Sequence, residues 1–254
     1  MISSLFLCFL VYSFIGWVWE GLVSLVMRHK IVNRGFLNGP YCPIYGTGAL
    51  LFVLINHFFD GNLAVLFLLG GLVACILEYL TSWVMELIFH ARWWDYSDKK
   101  FNINGRVCLT GFVIFGLGAV AVHFVHPHLL TFVDKFEHKD IIAIIAGVIF
   151  ALDVISTNKS FARFTRILKD FQNTLSQGAV IQYIQRGKNQ FIAELNKRTS
   201  RILTYQQRRL IRAFPNYKSS YNNAYREVRK LYADTKYKPK KTAHARKNAK
   251  KIVK

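Results

Sequence analysis

LAVLFLLGGLVACILEYLTSWVMELIF, residues 63–89, decides the fold. It exceeds the roughly 20 apolar residues that a helix needs to cross a bilayer. Within it Gly70, Ala74, Glu78, Ser82 and Glu86 recur every fourth residue, so a helix gathers them on one slowly turning face. Two carboxylates therefore share a small-and-polar stripe on a helix otherwise made for lipid. An ionised group at the centre of such a helix costs about 2.5 kcal/mol or more on insertion scales, so it turns inward and finds a partner. The helix then runs into Trp93-Trp94-Asp95-Tyr96-Ser97 and on through Asn102, Asn104 and Arg106. No other run in the chain is so dense in groups that bind or do chemistry.

The same device appears earlier. Met1 to Met27 is apolar apart from Glu20, and Tyr12, Gly16, Glu20 and Ser24 again fall four apart. No basic residue precedes this run, which argues for a retained first span rather than a cleaved signal peptide. Its stripe suits packing against that of the third span. Between Asn33 and Pro43 two Gly, two Pro and two Asn exclude a regular helix. That segment is either a plain connector or a loop that dips toward spans one and three. The fold class expected is all-α, a polytopic membrane helical bundle of about five spans, at 2–27, 43–59, 63–89, 107–125 and 140–157. Pro127 to Lys139 reads as a polar loop between the last two, and Asp153 lies near the end of the fifth.

Charge divides the chain near Asn158. Residues 1–157 hold 9 Lys/Arg and 10 Asp/Glu, whereas 158–254 hold 25 of the 34 Lys/Arg and 4 of the 14 Asp/Glu. A basic cytoplasmic helical C-terminal tail follows: an amphipathic helical region over 158–235 and a disordered Lys-rich stretch over 236–254. With that tail in the cytoplasm, five spans place the N-terminus outside. The loops bearing Arg28, Lys30, Arg34 and Arg92, Lys99, Lys100, Arg106 are then cytoplasmic, and those with Lys135 and Lys139 face outward, as the positive-inside rule requires. Cys8, Cys42, Cys75 and Cys108 form no C-x-x-C and read as reduced packing residues.

Depth focuses the candidate site. At 1.5 Å per residue Glu86 lies about 6 Å from the cytoplasmic end of its helix, Glu78 about 18 Å, and Glu20 about 12 Å in from Arg28. With the two cytoplasmic loops they enclose a polar cavity that opens inward, with Glu20 facing Glu78 and with Asn33, Asn38 and Arg106 reaching in. The substrate-binding candidates are Glu20, Asn33, Arg34, Asn38, Tyr41, Glu78, Glu86, Trp94, Asp95, Tyr96, Asn102, Asn104 and Arg106. The bland alternative is that the acids merely lock helices together. Trp93 and Trp94 fit interfacial anchoring better than ligand stacking. His123, His126 and His128 cluster, but Pro127 breaks their spacing, so no metal is expected there. No cofactor is expected.

Three blocks occur together: Ser13 to Glu20, Asn33 to Gly46, and Trp94-Asp95-Tyr96-Ser97 followed by Asn102, Asn104, Gly105 and Arg106. In this combination residues 5–155 resemble the bacterial ABC-transporter type IV membrane family, also described as ABC transporter permeases of the CmpB type. The positions matching its pattern are Glu20, Asn33, Arg34, Gly35, Gly39, Pro40, Pro43, Glu78, Trp94, Asp95, Tyr96, Asn102, Gly105 and Arg106. The resemblance implies a multi-pass plasma-membrane permease handling a small solute or lipid headgroup. No G-x-x-x-x-G-K-[ST] occurs, so ATP hydrolysis would fall to a separate nucleotide-binding subunit. Two rivals stand beside this: a membrane-embedded enzyme acting on a lipid or lipid-linked substrate with the carboxylates as acid and base, and a non-catalytic scaffold whose tail recruits a partner. The tail favours anionic lipid headgroups over nucleic acid, since it is tethered at the membrane.

Overall fold

The computed structural model describes residues 1–29, 33, 35–59, 62–89 and 91–177, with 204, 206, 207, 209, 218 and 219. Among them the helices are α1 (Ile2–Arg28), α2 (Pro43–Phe58), α3 (Leu63–Phe89), α4 (Leu109–Asp134) and α5 (Lys139–Gln177). Four two-residue strands stand beside them: β1 (Ala91–Arg92), β2 (Asn102–Ile103), β3 (Val107–Cys108) and β4 (Lys218–Ser219). Ile2–Val26, Leu63–Phe89, Leu109–Asp134 and Lys139–Lys169 are each long and apolar enough to cross a membrane. The protein is an all-α membrane bundle. At 16 residues α2 is the short member, about 24 Å at the helical rise.

Two compact units divide the chain: residues 1–162 with 206–220, and residues 163–205 with 221–254. In the second, the helical stretch 163–177 is described, and Phe164 and Leu168 on it are buried. Everything below concerns the first.

Lipid offers no hydrophobic drive for helices to associate, so close packing by small residues must supply it. A Cβ on Gly71 would stand 2.9 Å from the Phe112 carbonyl oxygen, and one on Gly116 would stand 2.7 Å from that of Phe67. Helices α3 and α4 therefore meet backbone to backbone. Gly46 seats α2 against Phe9 and Ser13 of α1, and Gly16 of α1 receives the Tyr45 ring in return. Phe52, Ala74 and Ala119 join α2, α3 and α4, while Cys8, Tyr12, Ala49 and Val133 join α1, α2 and α4. On α3 the buried residues include Gly70, Ala74, Glu78 and Ser82, and Leu72, Ile76, Leu80 and Trp83 are exposed on the other faces. The four-residue stripe is the buried face.

Three features depart from the sequence reading. The stretch read as a loop from Pro127 is helical as far as Asp134. Proline lacks the N–H that would bond the His123 carbonyl, but packing outweighs that loss. Leu129, Leu130 and Val133 pack on the Cys8 cluster, and Ser4 Oγ donates to Asp134 Oδ1 at 2.7 Å. Second, α5 does not stop near Thr157 but continues to Gln177, for no Gly or Pro interrupts residues 148–177. Beyond Gln177, apart from the six isolated positions named above, the readings of a helical tail and of a disordered Lys-rich end fall outside the described residues. Third, Trp93 is no interfacial anchor: it is buried among Phe36 (ring centroids 5.4 Å apart) and Phe161 (5.0 Å).

Between α3 and α4 the chain forms a small hairpin, β2 antiparallel to β3, with Asn102 opposite Cys108 and Ile103 opposite Val107. Asn104 and Gly105 turn it with φ of 54° and 67°, the left-handed region that Asn-Gly pairs occupy at little cost. A side chain at Gly105 would also strike Asp95 Oδ1 and Ser97 Oγ, each 2.6 Å from the added Cβ. β1 pairs antiparallel with β4, Ala91 opposite Ser219.

Candidate functional site

Three polar constellations stand in the first unit. One pairs Glu20 and Glu78 each with a phenol. Tyr45 donates its hydroxyl to Glu20 Oε1 at 2.8 Å, and Tyr96 donates to Glu78 Oε1 at 2.9 Å. The two pairs adjoin a common ring: the Phe115 centroid lies 6.2 Å from that of Tyr45, and Phe115 stands with Glu78 Oε2 beside Gly111. Glu78 is 6% exposed, and its Oε2 has no hydrogen-bond partner among the described residues. That oxygen faces Gly111, whose added Cβ would stand 3.7 Å away, with Phe115 and Cys108 Sγ beside the same position. Tyr96 is set by its own backbone, whose N–H donates to the Gly105 carbonyl at 2.8 Å. Burial first, and then the Glu78 carboxylate, push the Tyr96 phenol above its ordinary range, so it remains a donor.

Two turns along the same stripe stands a second, ion-paired group. Arg106 Nη2 meets Glu86 Oε2 at 2.5 Å, and Arg92 Nε reaches the same oxygen at 2.8 Å. Arg106 Nη1 also donates to Ser82 Oγ at 3.0 Å, and its guanidinium lies 5.5 Å from the centre of the Tyr79 ring. Asn104 Nδ2 donates to Tyr79 at 3.0 Å, and Trp94 Nε1 donates to the Arg106 carbonyl at 2.9 Å. Asn102 bridges the hairpin by donating to the Lys99 carbonyl at 2.8 Å and accepting from Gly105 N–H at 3.0 Å. Asp95 Oδ1 accepts from the Ser97 hydroxyl.

The third constellation is a knot at Asp153. Its Oδ2 accepts from Tyr41 hydroxyl at 2.6 Å and from Gly39 N–H at 2.8 Å, and its Oδ1 accepts from Asn38 Nδ2 at 2.9 Å. Burial, then the bond to Asp153, raise the Tyr41 phenol well above its usual range. Asn33 is placed separately: its Oδ1 accepts from Trp17 Nε1 at 2.9 Å and from Gly35 N–H at 3.0 Å.

Tyr45, which holds Glu20, and Glu78 both adjoin Phe115, whereas Asn38 and Arg106 bond elsewhere. Glu86 lies eight residues nearer the helix end than Glu78, about 12 Å, so a guanidinium carried on the loop meets it first. Asn38 and Tyr41 are held by α5 instead. Arg34 falls outside the described residues. His123 Nδ1 contacts Asn56 Oδ1 at 2.7 Å, and His126 faces Tyr12 at 3.4 Å. Tyr45 was not among the candidates. Its sequence signal was the glycine opposite, since Gly16 on a packed stripe calls for a bulky partner.

Fold and constellations together define a multi-pass membrane protein with acids turned into its bundle. The family model described as "Putative ABC-transporter type IV" matches residues 7–158, and the chain belongs to that family. Neither a curated protein nor a solved structure matches it.

Proposed function

We propose that the chain is the membrane-embedded component of an ABC-type transporter, and that the Glu20–Tyr45 and Glu78–Tyr96 pairs handle its small solute or lipid headgroup. One observation carries this reading: Glu78 is buried in the bundle, and among the described residues only one of its two oxygens is hydrogen-bonded. An acid kept only to lock helices would have both oxygens satisfied, because an unmade bond to a buried charged group costs more than about 1–3 kcal/mol. Intramembrane ionisable residues generally mark solute or proton routes. The loop charges support a site open to the cytoplasm, with the N-terminus outside and the C-terminus inside. Since the sequence has no phosphate-binding loop, a separate subunit would hydrolyse ATP. The basic tail would rest on anionic headgroups, each Lys or Arg near the surface contributing about 1 kcal/mol.

Inverted membrane vesicles from cells expressing the chain and its natural partners test this. Given ATP and cytosolic extract, vesicles with the wild type should accumulate solutes, or redistribute lipids, that vesicles with Glu78→Gln do not. Equal contents at equal protein levels would remove the transport reading.

A further inference from the structure

We infer that Glu78 is a proton-binding site inside the membrane, exchanged with the loop side through the Tyr96 hydroxyl. The geometry suits the acid form better than the carboxylate. Oε1 has its phenol, while Oε2 rests against Gly111 with Cys108 and Phe115 alongside, and no donor among the described residues reaches it. As a carboxylate, Glu78 leaves charge on an oxygen with no donor in a water-poor site. As a carboxylic acid, it leaves only a neutral carbonyl there, which costs far less.

The titratable and charged groups around it come from every neighbouring element. Glu20 of α1 adds like charge, with Tyr45 of α2 bonded to Glu20. Cys75 lies on α3 itself, Cys108 on β3, and Tyr96 on the loop. Arg106, carried on the hairpin, is engaged farther along the stripe at Ser82 and Glu86.

Transfer balances simply. A proton arriving at the Tyr96 oxygen, as Tyr96 passes its own hydrogen to Glu78 Oε1, leaves the phenol neutral and the carboxyl protonated. The reverse step releases one proton and restores both groups.

The full chain in liposomes, studied by infrared difference spectroscopy between acidic and alkaline buffer, tests the assignment without any solute. Its failure is therefore separate from failure of the transport reading. The carbonyl stretch of a carboxylic acid should vanish on going alkaline, be absent from Glu78→Gln and persist in Glu20→Gln. Tyr96→Phe removes the donor that favours the carboxylate, and Gly111→Ala places a methyl in ordinary contact with Oε2. Both should move the loss of the band to higher pH. No acid band in the wild type, or a band that survives Glu78→Gln, overturns the inference. Where Glu78→Gln does not accumulate, an unshifted midpoint in both other variants overturns it equally.

Discussion

Asp153 shows how much one carboxylate can hold. It accepts from Tyr41, Gly39 and Asn38, so Asp153→Ala strands several donors at once. Bonds to a charged group contribute about 1.5–3 kcal/mol each, and Asp153→Ala should cost about 3 kcal/mol or more, read as a lowered unfolding midpoint in detergent. Asp153→Asn keeps one acceptor oxygen and should lose clearly less. The two stripe acids should part company in the vesicle assay: Glu78→Gln abolishes accumulation, whereas Glu86→Gln retains most of it. Glu86 sits at the loop end with two guanidinium partners, and the amide still accepts from one of them. At this scale the sequence was half legible. Spacing marked the stripes that carry Glu20, Glu78 and Glu86, and Glu78 is buried, because period and chemistry agree on a lipid-facing helix. Partners were not legible, since whether Arg106 meets Glu86 or Glu78 depends on the path of a hairpin. The Asn104-Gly105 pair is itself a turn signal, at φ of 54° and 67°.

At the scale of elements, the close approach of α3 and α4 should be sensitive to a single methyl. A Cβ at Gly71 would meet Phe112 backbone, while one at Gly118 has none of the described residues within 4 Å. Gly71→Ala should destabilise the bundle by about 1–3 kcal/mol through overpacking. Gly118→Ala should be neutral or stabilising by up to about 1 kcal/mol, because alanine is the better helix former. Thermal unfolding of both variants in one detergent checks the contrast. Apolar periodicity disclosed where the helices lie. It disclosed their ends poorly, at Pro127 and near Thr157, because tertiary packing and an uninterrupted run of helix formers outweighed a proline and a change of polarity.

For the whole molecule, the orientation argued from loop charge has a direct test. With the four native cysteines replaced, cysteines introduced at the exposed Lys100 and Lys135 should respond oppositely to an impermeant thiol reagent in intact cells. Only the one at Lys135 should be labelled. Labelling at Lys100 alone would invert the topology and place the mouth of the acid site on the other side of the membrane.

The knot at Asp153 also sets an order of assembly. Asn38 and Asp153 are 115 residues apart, so the loop at 38–41 leaves the ribosome long before its acceptor exists. The α1–α2 pair can close early, through Cys42 N–H and the Ser13 carbonyl at 2.9 Å, but the loop cannot. Biogenesis must therefore carry an unfastened segment until α5 is inserted. A nascent chain arrested before residue 153 should be cut by protease at 36–41, and the same bonds should become protected once α5 has entered the membrane.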